Sequence, residues 1–177
     1  MNIFVLDLDP QRCARYHCDA HVNKMLTESA QILSTVLGGP YKPTHEHHPC
    51  VKWAGHSIHN LAWLLALGEA LGVEFEHRRG KKHASSMVIA ELRMKLLRRY
   101  VVSVQRPITF AIAMPEHLRP AGAFAKPSVA VERYRAYYNK CKQGFWRQGT
   151  WVPSTWTKRD VPEWFVRTPD PISPPTD

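Results

Sequence analysis

Apolar residues recur at helical spacing along much of the chain, and this periodicity predicts a mainly α-helical fold. The first predicted helix begins at Asp9-Pro10, where an aspartate can cap a turn that starts with proline, and ends near Val36. The second runs from about residue 53 to Gly80 and is the most hydrophobic stretch of the chain. We therefore expect it to be the central, largely buried helix.

Two further helices are predicted over residues 85–100 and 128–143. Residues 2–8 are apolar and β-prone, which indicates a short extended segment. Residues 101–126 show no sustained period and predict a long irregular connection. Because four of the last ten residues are prolines, we expect a disordered tail over residues 168–177. The expected architecture is all-α in the main: one compact helical bundle over residues 1–167, with a short extended N-terminal segment and long irregular loops.

The net positive charge of the chain limits the classes of binding partner to be considered. The 177 residues include 24 Lys and Arg against 15 Asp and Glu, a net charge of +9. Such a small basic chain favours polyanions, either nucleic acid or an anionic membrane surface. The longest apolar run, residues 61–73, is interrupted by Glu69 and is too short to span a bilayer. We expect DNA as the partner, no membrane association and, with no signal peptide and no CxxC pair, a cytoplasmic protein with reduced thiols.

A polar stripe on the first predicted helix is the most informative feature. Its members follow one another at spacings of four, three, four and three, within an arc of about 80° on one helix face. They are His17, His21, Lys24, Glu28 and Gln31. Imidazole, amine and carboxylate groups on one face suit proton transfer and imine chemistry. The alternative is an ordinary solvent-exposed face with one Lys24–Glu28 ion pair.

The histidines also allow a metal site. His17 and His21 have the spacing of helical zinc ligands, but Cys18 stands where the zincin motif has glutamate. A histidine-rich loop that includes His47 and His48 adds further candidate ligands, or a loop that faces phosphates. We expect no cofactor, with zinc as the alternative.

Basic and aromatic residues form the candidate nucleic-acid-binding surface, since cations can hold phosphates while tyrosines stack on unpaired bases. They are Arg78, Arg79, Lys81, Lys82, Arg133, Tyr134, Tyr137 and Tyr138, to which the loop histidines and Gln31 are added. The tyrosine spacing fits a buried helix face equally well. We expect the C-terminal aromatics, among them Trp146 and Trp156, to clamp the end of the chain onto the core.

Three segments resemble a known family. Residues 19–22 followed by Glu28, residues 48–53, and residues 134–138 are similar to pyrimidine-dimer DNA glycosylases of the phage endonuclease V type and their bacterial relatives. The resemblance implies a compact helical domain that flips a nucleotide and cleaves its glycosidic bond, with strand cleavage by β-elimination. It also implies that residues 134–138 contact DNA.

In that family an N-terminal α-amine attacks the sugar and a carboxylate on the first long helix assists. Glu28 matches the carboxylate, and His21 matches a helix histidine at the site. The family exposes the amine of a small residue by removing Met1; here residue 2 is Asn2, so we expect Met1 to be retained. Lys24 is an alternative amine.

The leading hypothesis is therefore a DNA glycosylase, with lyase activity, for damaged or modified pyrimidines. The residues proposed to catalyse the reaction are Glu28, His21, His17, Lys24, Met1 and Asn2. A metal-dependent hydrolase or base-modifying transferase, and a non-catalytic nucleic-acid-binding protein, are the alternatives.

Overall fold

A computed structural model describes residues 1–99, 107–119 and 122–170 of the chain. These residues form six α-helices, one short 3-10 helix and two small two-stranded antiparallel sheets, so the predicted mainly α fold is confirmed. The helices are α1 (Pro10–Tyr16), α2 (Asp19–Leu37), α3 (Pro49–His56), α4 (Ile58–Arg79), α5 (Ala84–Arg99) and α6 (Pro127–Cys141). The strands are β1 (Phe110–Ala111), β2 (Phe124–Ala125), β3 (Gly144–Arg147) and β4 (Thr150–Pro153), and the 3-10 helix covers Glu116–Leu118.

The helix α4 is the centre of the bundle, as its hydrophobicity predicted. It packs against α1, α2, α3 and α5. Leu64, Leu67 and Leu71 on this helix are fully buried. Gly80 ends it in the left-handed conformation, with φ +68°, which is a common helix C-terminus for glycine.

The first predicted helix is two helices, α1 and α2, and the prediction of a single one was wrong. The chain is extended at His17 and Cys18, and α2 starts afresh at Asp19. The Arg78 side chain donates to the carbonyls of Arg15 (2.9 Å) and His17 (2.8 Å) and thus satisfies the end of α1. The second predicted helix is likewise interrupted at Ser57, whose hydroxyl caps α4 by accepting from the amide of Asn60 at 3.2 Å.

The N-terminal segment, predicted to be a short extended element, adds no strand to either of the two sheets. Residues 3–6 are buried in the core instead. Phe4 has a positive φ of 34°, and its ring contacts His21, Tyr134 and Tyr137. The start of the chain is therefore fixed inside the bundle, next to α2 and α6.

The C-terminal part contains one feature that the sequence analysis missed, the β3–β4 hairpin, which includes Trp146 and Trp151. Trp156 and Phe165 are buried against the core, as expected of a clamp. Part of the predicted irregular connection (residues 100–106 and 120–121) and residues 171–177 of the predicted tail lie outside the described residues. The domain boundary at residue 167 stays a prediction.

Candidate active site

A groove runs along the exposed side of α2, with a volume of about 520 Å³. Four residues of the predicted stripe line it on the helix side: His21, Lys24, Glu28 and Gln31. The opposite wall is formed by Phe145, Trp146 and Arg147 of β3. The structure thus brings the imidazole, amine, carboxylate and amide of α2 to one cavity.

The start of the chain reaches the same carboxylate. The backbone nitrogen of Asn2 donates a hydrogen bond to Glu28 Oε2 at 2.7 Å. Lys24 Nζ lies 3.8 Å from the other oxygen, Oε1. The Glu28 side chain is only 13% exposed, whereas that of Lys24 is 65% exposed. Glu28 therefore lies between the N-terminal backbone and the groove.

The Asn2 side chain holds the N-terminal segment in place. Its Oδ1 accepts from the amides of Ile3 (2.8 Å) and Phe4 (3.0 Å), and its Nδ2 donates to the carbonyl of Ala113. Asn2 is buried, and Met1 is half-buried against the core. These hydrogen bonds fix the position of Asn2, and they therefore hold its backbone nitrogen against Glu28.

His21 is buried on the groove side of α2. Its Nδ1 is hydrogen-bonded with the Tyr138 hydroxyl, and its ring lies 4.5 Å from that of Phe4. Burial, and after it the neighbouring His17 and Lys142, holds the pKa of His21 well below its ordinary value. The imidazole is therefore neutral at physiological pH and is fixed in orientation by its partners.

His17 does not share this face, because it follows α1 instead of lying on α2. It is fully buried, and its Nδ1–H donates to the carbonyl of Cys13 at 2.7 Å. Burial lowers the pKa of His17 to about 4. It is not among the residues that line the groove, so its predicted catalytic role is corrected to a place in the core.

Three predicted nucleic-acid contacts are buried and are corrected in the same way. Arg78 is 4% exposed and pairs with Glu74 and Asp19, both at 3.1 Å. Tyr134 and Tyr138 are fully buried on the inner face of α6, which is the alternative that their spacing left open. None of these side chains presents a surface to a polyanion.

The other predicted contacts lie nearer the surface. Arg79, Lys81, Lys82, Arg133 and His47 are exposed, and their binding of nucleic acid stays a prediction. His48 is half-buried and caps α3, since its Nδ1 accepts from the amide of Cys50 at 3.1 Å. Tyr137 is half-buried between the Phe4 ring (5.7 Å) and the Lys142 amine (4.9 Å).

The groove wall that β3 contributes was not predicted from the sequence. The signal for it was present as two short runs of aromatic and β-branched residues, 145–146 and 150–152, on either side of a glycine-containing turn at Gln148-Gly149. Among residues 1–99, 107–119 and 122–170, no three His, Cys, Asp or Glu side chains are grouped to hold a metal ion. Over the same residues, no helix combines the length and hydropathy that a membrane crossing needs.

Residues 1–88 match the family model described as pyrimidine dimer DNA glycosylase. The match covers the N-terminal segment and α1 to α4, including Glu28, His21 and the rest of the stripe. It confirms the resemblance found in the sequence. No curated protein and no solved structure matches the chain.

Proposed function

We propose that this chain, whose residues 1–88 match the family model of pyrimidine dimer DNA glycosylases, excises damaged or modified pyrimidines from DNA. One observation carries the proposal: the backbone nitrogen of Asn2 lies 2.7 Å from Glu28, which lines the groove together with other polar residues of α2. This nitrogen is a peptide amide while Met1 is present, and it becomes an α-amine when Met1 is removed. An amine beside a carboxylate is the pair that an imine mechanism at a sugar carbon requires.

In the proposed reaction, an α-amine of the N-terminal segment forms a bond to C1′ while the glycosidic bond breaks. The base leaves with the bonding electrons and takes up a proton. Loss of a proton from the amine nitrogen and opening of the sugar ring then give an imine. Removal of a C2′ proton expels the 3′ phosphate by β-elimination, which is the proposed lyase step.

Glu28 has two roles in this scheme. As a carboxylate beside the reacting carbon, it stabilises the positive charge that develops on the sugar. It also accepts the proton that the attacking amine must lose. Its small exposure strengthens both effects, because water screens a half-buried charge less than an exposed one.

The position of Asn2 favours residue 2 as the nucleophile. Removal of Met1 would turn a nitrogen that already contacts Glu28 into a primary amine, without moving the buried Asn2 side chain. With Met1 retained, as the sequence analysis expects, the amine lies one residue further along the same segment. Lys24 is the other amine near Glu28; its exposed position suits a phosphate contact better than attack at C1′.

His21 is proposed to position the substrate. Its neutral imidazole lines the groove and is held by Tyr138. A neutral histidine can donate or accept a hydrogen bond, according to its tautomer, without adding charge beside the developing cation. Extrusion of the target nucleotide would deliver the sugar to this groove.

The test is a single-turnover assay on a duplex with one thymine dimer, in the presence and absence of borohydride. Glu28→Gln keeps the side chain's size and an oxygen for the Asn2 amide, so the site should stay folded. We expect the rate to fall by about 10²–10⁴-fold. The matched control is Glu91→Gln, an exposed residue of α5, which should leave the rate unchanged.

The proposal fails if the wild-type chain releases neither base nor strand and borohydride traps no adduct. It fails equally if Glu28→Gln cleaves as fast as the wild type. In that second outcome, DNA binding that weakens steeply with salt would indicate a nucleic-acid-binding protein that lacks this chemistry.

A further inference from the structure

The β3–β4 hairpin faces the groove, yet it lies outside residues 1–88 that the family model matches. Its strands pair in register from Gly144↔Pro153 to Arg147↔Thr150. Gln148 and Gly149 connect them with φ of 47° and 78°, as a two-residue type I′ turn requires. The hairpin is therefore a well-defined element rather than a loose loop.

An aromatic pair is fixed on one face of this hairpin. Trp146 and Trp151 are cross-strand partners whose ring centroids lie 5.5 Å apart. The Trp151 indole N–H donates to Asp170 Oδ1 at 2.9 Å. Gly144 leaves room for the Trp151 ring, since a Cβ there would approach it to 2.6 Å. Trp146 is thus held by a partner that is itself anchored.

The hairpin is also joined to the active-site helix. Phe145 packs against His21 of α2, with ring centroids 5.3 Å apart. Trp146 is half-buried and Arg147 exposed, and both line the groove with Lys24 and Glu28. The groove therefore has a cation on each wall, an aromatic side chain beside one of them and a carboxylate on α2.

We propose that the β3–β4 hairpin holds the extruded nucleotide, with Trp146 stacked on a displaced base and Arg147 bound to a neighbouring phosphate. The inference rests on the proposed function, whose substrate it describes in more detail. An indole ring stacks on any base, and an arginine beside it supplies the charge that a phosphate needs. Because Trp151 and Asp170 fix the Trp146 side of the hairpin beforehand, little ordering remains for the moment of binding.

The test compares two duplexes of one sequence by fluorescence anisotropy, one fully paired and one with a single bulged, unpaired thymine. The wild-type chain should bind the bulged duplex more tightly. Trp146→Leu removes the stacking surface and should lower this preference by about 5- to 150-fold, the range that stacking of one base provides. Trp146→Phe keeps an aromatic face and should retain most of it.

Val152→Ala is the matched control, since Val152 belongs to the same hairpin but pairs with Phe145 on the other face. It should leave the preference unchanged. Arg147→Gln should weaken binding to both duplexes and reduce the slope of log K against log salt by about 0.9, the value for one phosphate contact.

The inference is overturned if the wild-type chain shows no preference for the bulged duplex, or if Trp146→Leu keeps the full preference. It is also overturned if Trp146→Phe and Val152→Ala lose the preference as fully as Trp146→Leu does, because the hairpin would then act only as structure. The two proposals separate cleanly. If the preference for the bulged duplex depends on Trp146 but the wild-type chain releases no base, the hairpin's role is supported and the glycosylase activity is refuted. If the wild-type chain cleaves dimer DNA but Trp146→Leu keeps the full preference, only the hairpin's role is refuted.

Discussion

Two adjacent arginines, Arg78 and Arg79, should respond to mutation in opposite ways. The Arg78 side chain is 1% exposed and donates to Glu74, Asp19 and the carbonyls of Arg15 and His17. Arg79 is exposed at the end of α4. Only the structure distinguishes the two, since the sequence places both in the same basic cluster.

Arg78→Ala should lower the free energy of unfolding because it leaves the buried carboxylates of Glu74 and Asp19 without this partner. Removing one partner of a buried ion pair costs about 3–5 kcal/mol, because the other charge stays buried. Glu74 keeps Arg159 at 2.6 Å and Asp19 keeps the Thr155 hydroxyl at 2.9 Å, which favours the lower end, about 3 kcal/mol. For a domain of this size, that loss lowers the Tm by about 6–12 °C. Arg79→Ala should change the free energy of unfolding by no more than about 0.5 kcal/mol.

Urea unfolding followed by tryptophan fluorescence measures both values, and DNA binding is compared at a temperature where both variants are folded. We expect Arg79→Ala to weaken binding and reduce its dependence on salt, if Arg79 contacts a phosphate as predicted. Arg78→Ala should leave the affinity of the folded chain unchanged. The reasoning is refuted if Arg78→Ala loses less than about 1 kcal/mol, or if both variants lose the same amount.

Three further predictions concern the core and the hairpin. Burial lowers the pKa of His17 from 6.5 to about 4, so the unfolded chain takes up a proton at a higher pH than the folded chain, and stability should fall as the pH drops from 6.5 towards 4. In urea titrations at several pH values, His17→Leu should reduce that fall by up to about 3 kcal/mol; an unchanged dependence of the unfolding free energy on pH would contradict this. Tyr134→Phe removes a buried hydroxyl that donates to Ala111 and accepts from Ala113, so it should cost about 1–3 kcal/mol in the same unfolding assay, whereas no loss would show that those groups find other partners. Gly144→Ala forces a Cβ to within 2.5 Å of the Val152 carbonyl and should destabilise the hairpin by about 1–3 kcal/mol, seen as faster proteolysis at residues 144–153; equal protection would refute the close approach.

The groove-lining part of the stripe was predictable because it depends only on helical spacing. His21, Lys24, Glu28 and Gln31 are separated by three or four residues within one continuous helix, α2, so they share a face wherever that helix packs. The central position of α4 was predictable for a similar reason, since a helix that is apolar on most of its surface must be buried.

The errors have the opposite character, because each depends on a partner distant in sequence. His17 does not share the face of the stripe, because α1 ends just before it and Arg78, 61 residues away, donates to its carbonyl. The tyrosines of α6 turned inward because residues 3–6 enter the core beside them, which no local pattern indicates. The link between Asn2 and Glu28 spans 26 residues and could be inferred only through the family resemblance.

The most direct test of the account is the location of the covalent adduct. Borohydride-trapped complex with thymine-dimer DNA is digested with trypsin, and the modified peptide is sequenced by mass spectrometry. The account predicts the adduct on the α-amine of the N-terminal peptide that ends at Arg12, the segment held against Glu28. An adduct on Lys24, or on any other side chain, would contradict it.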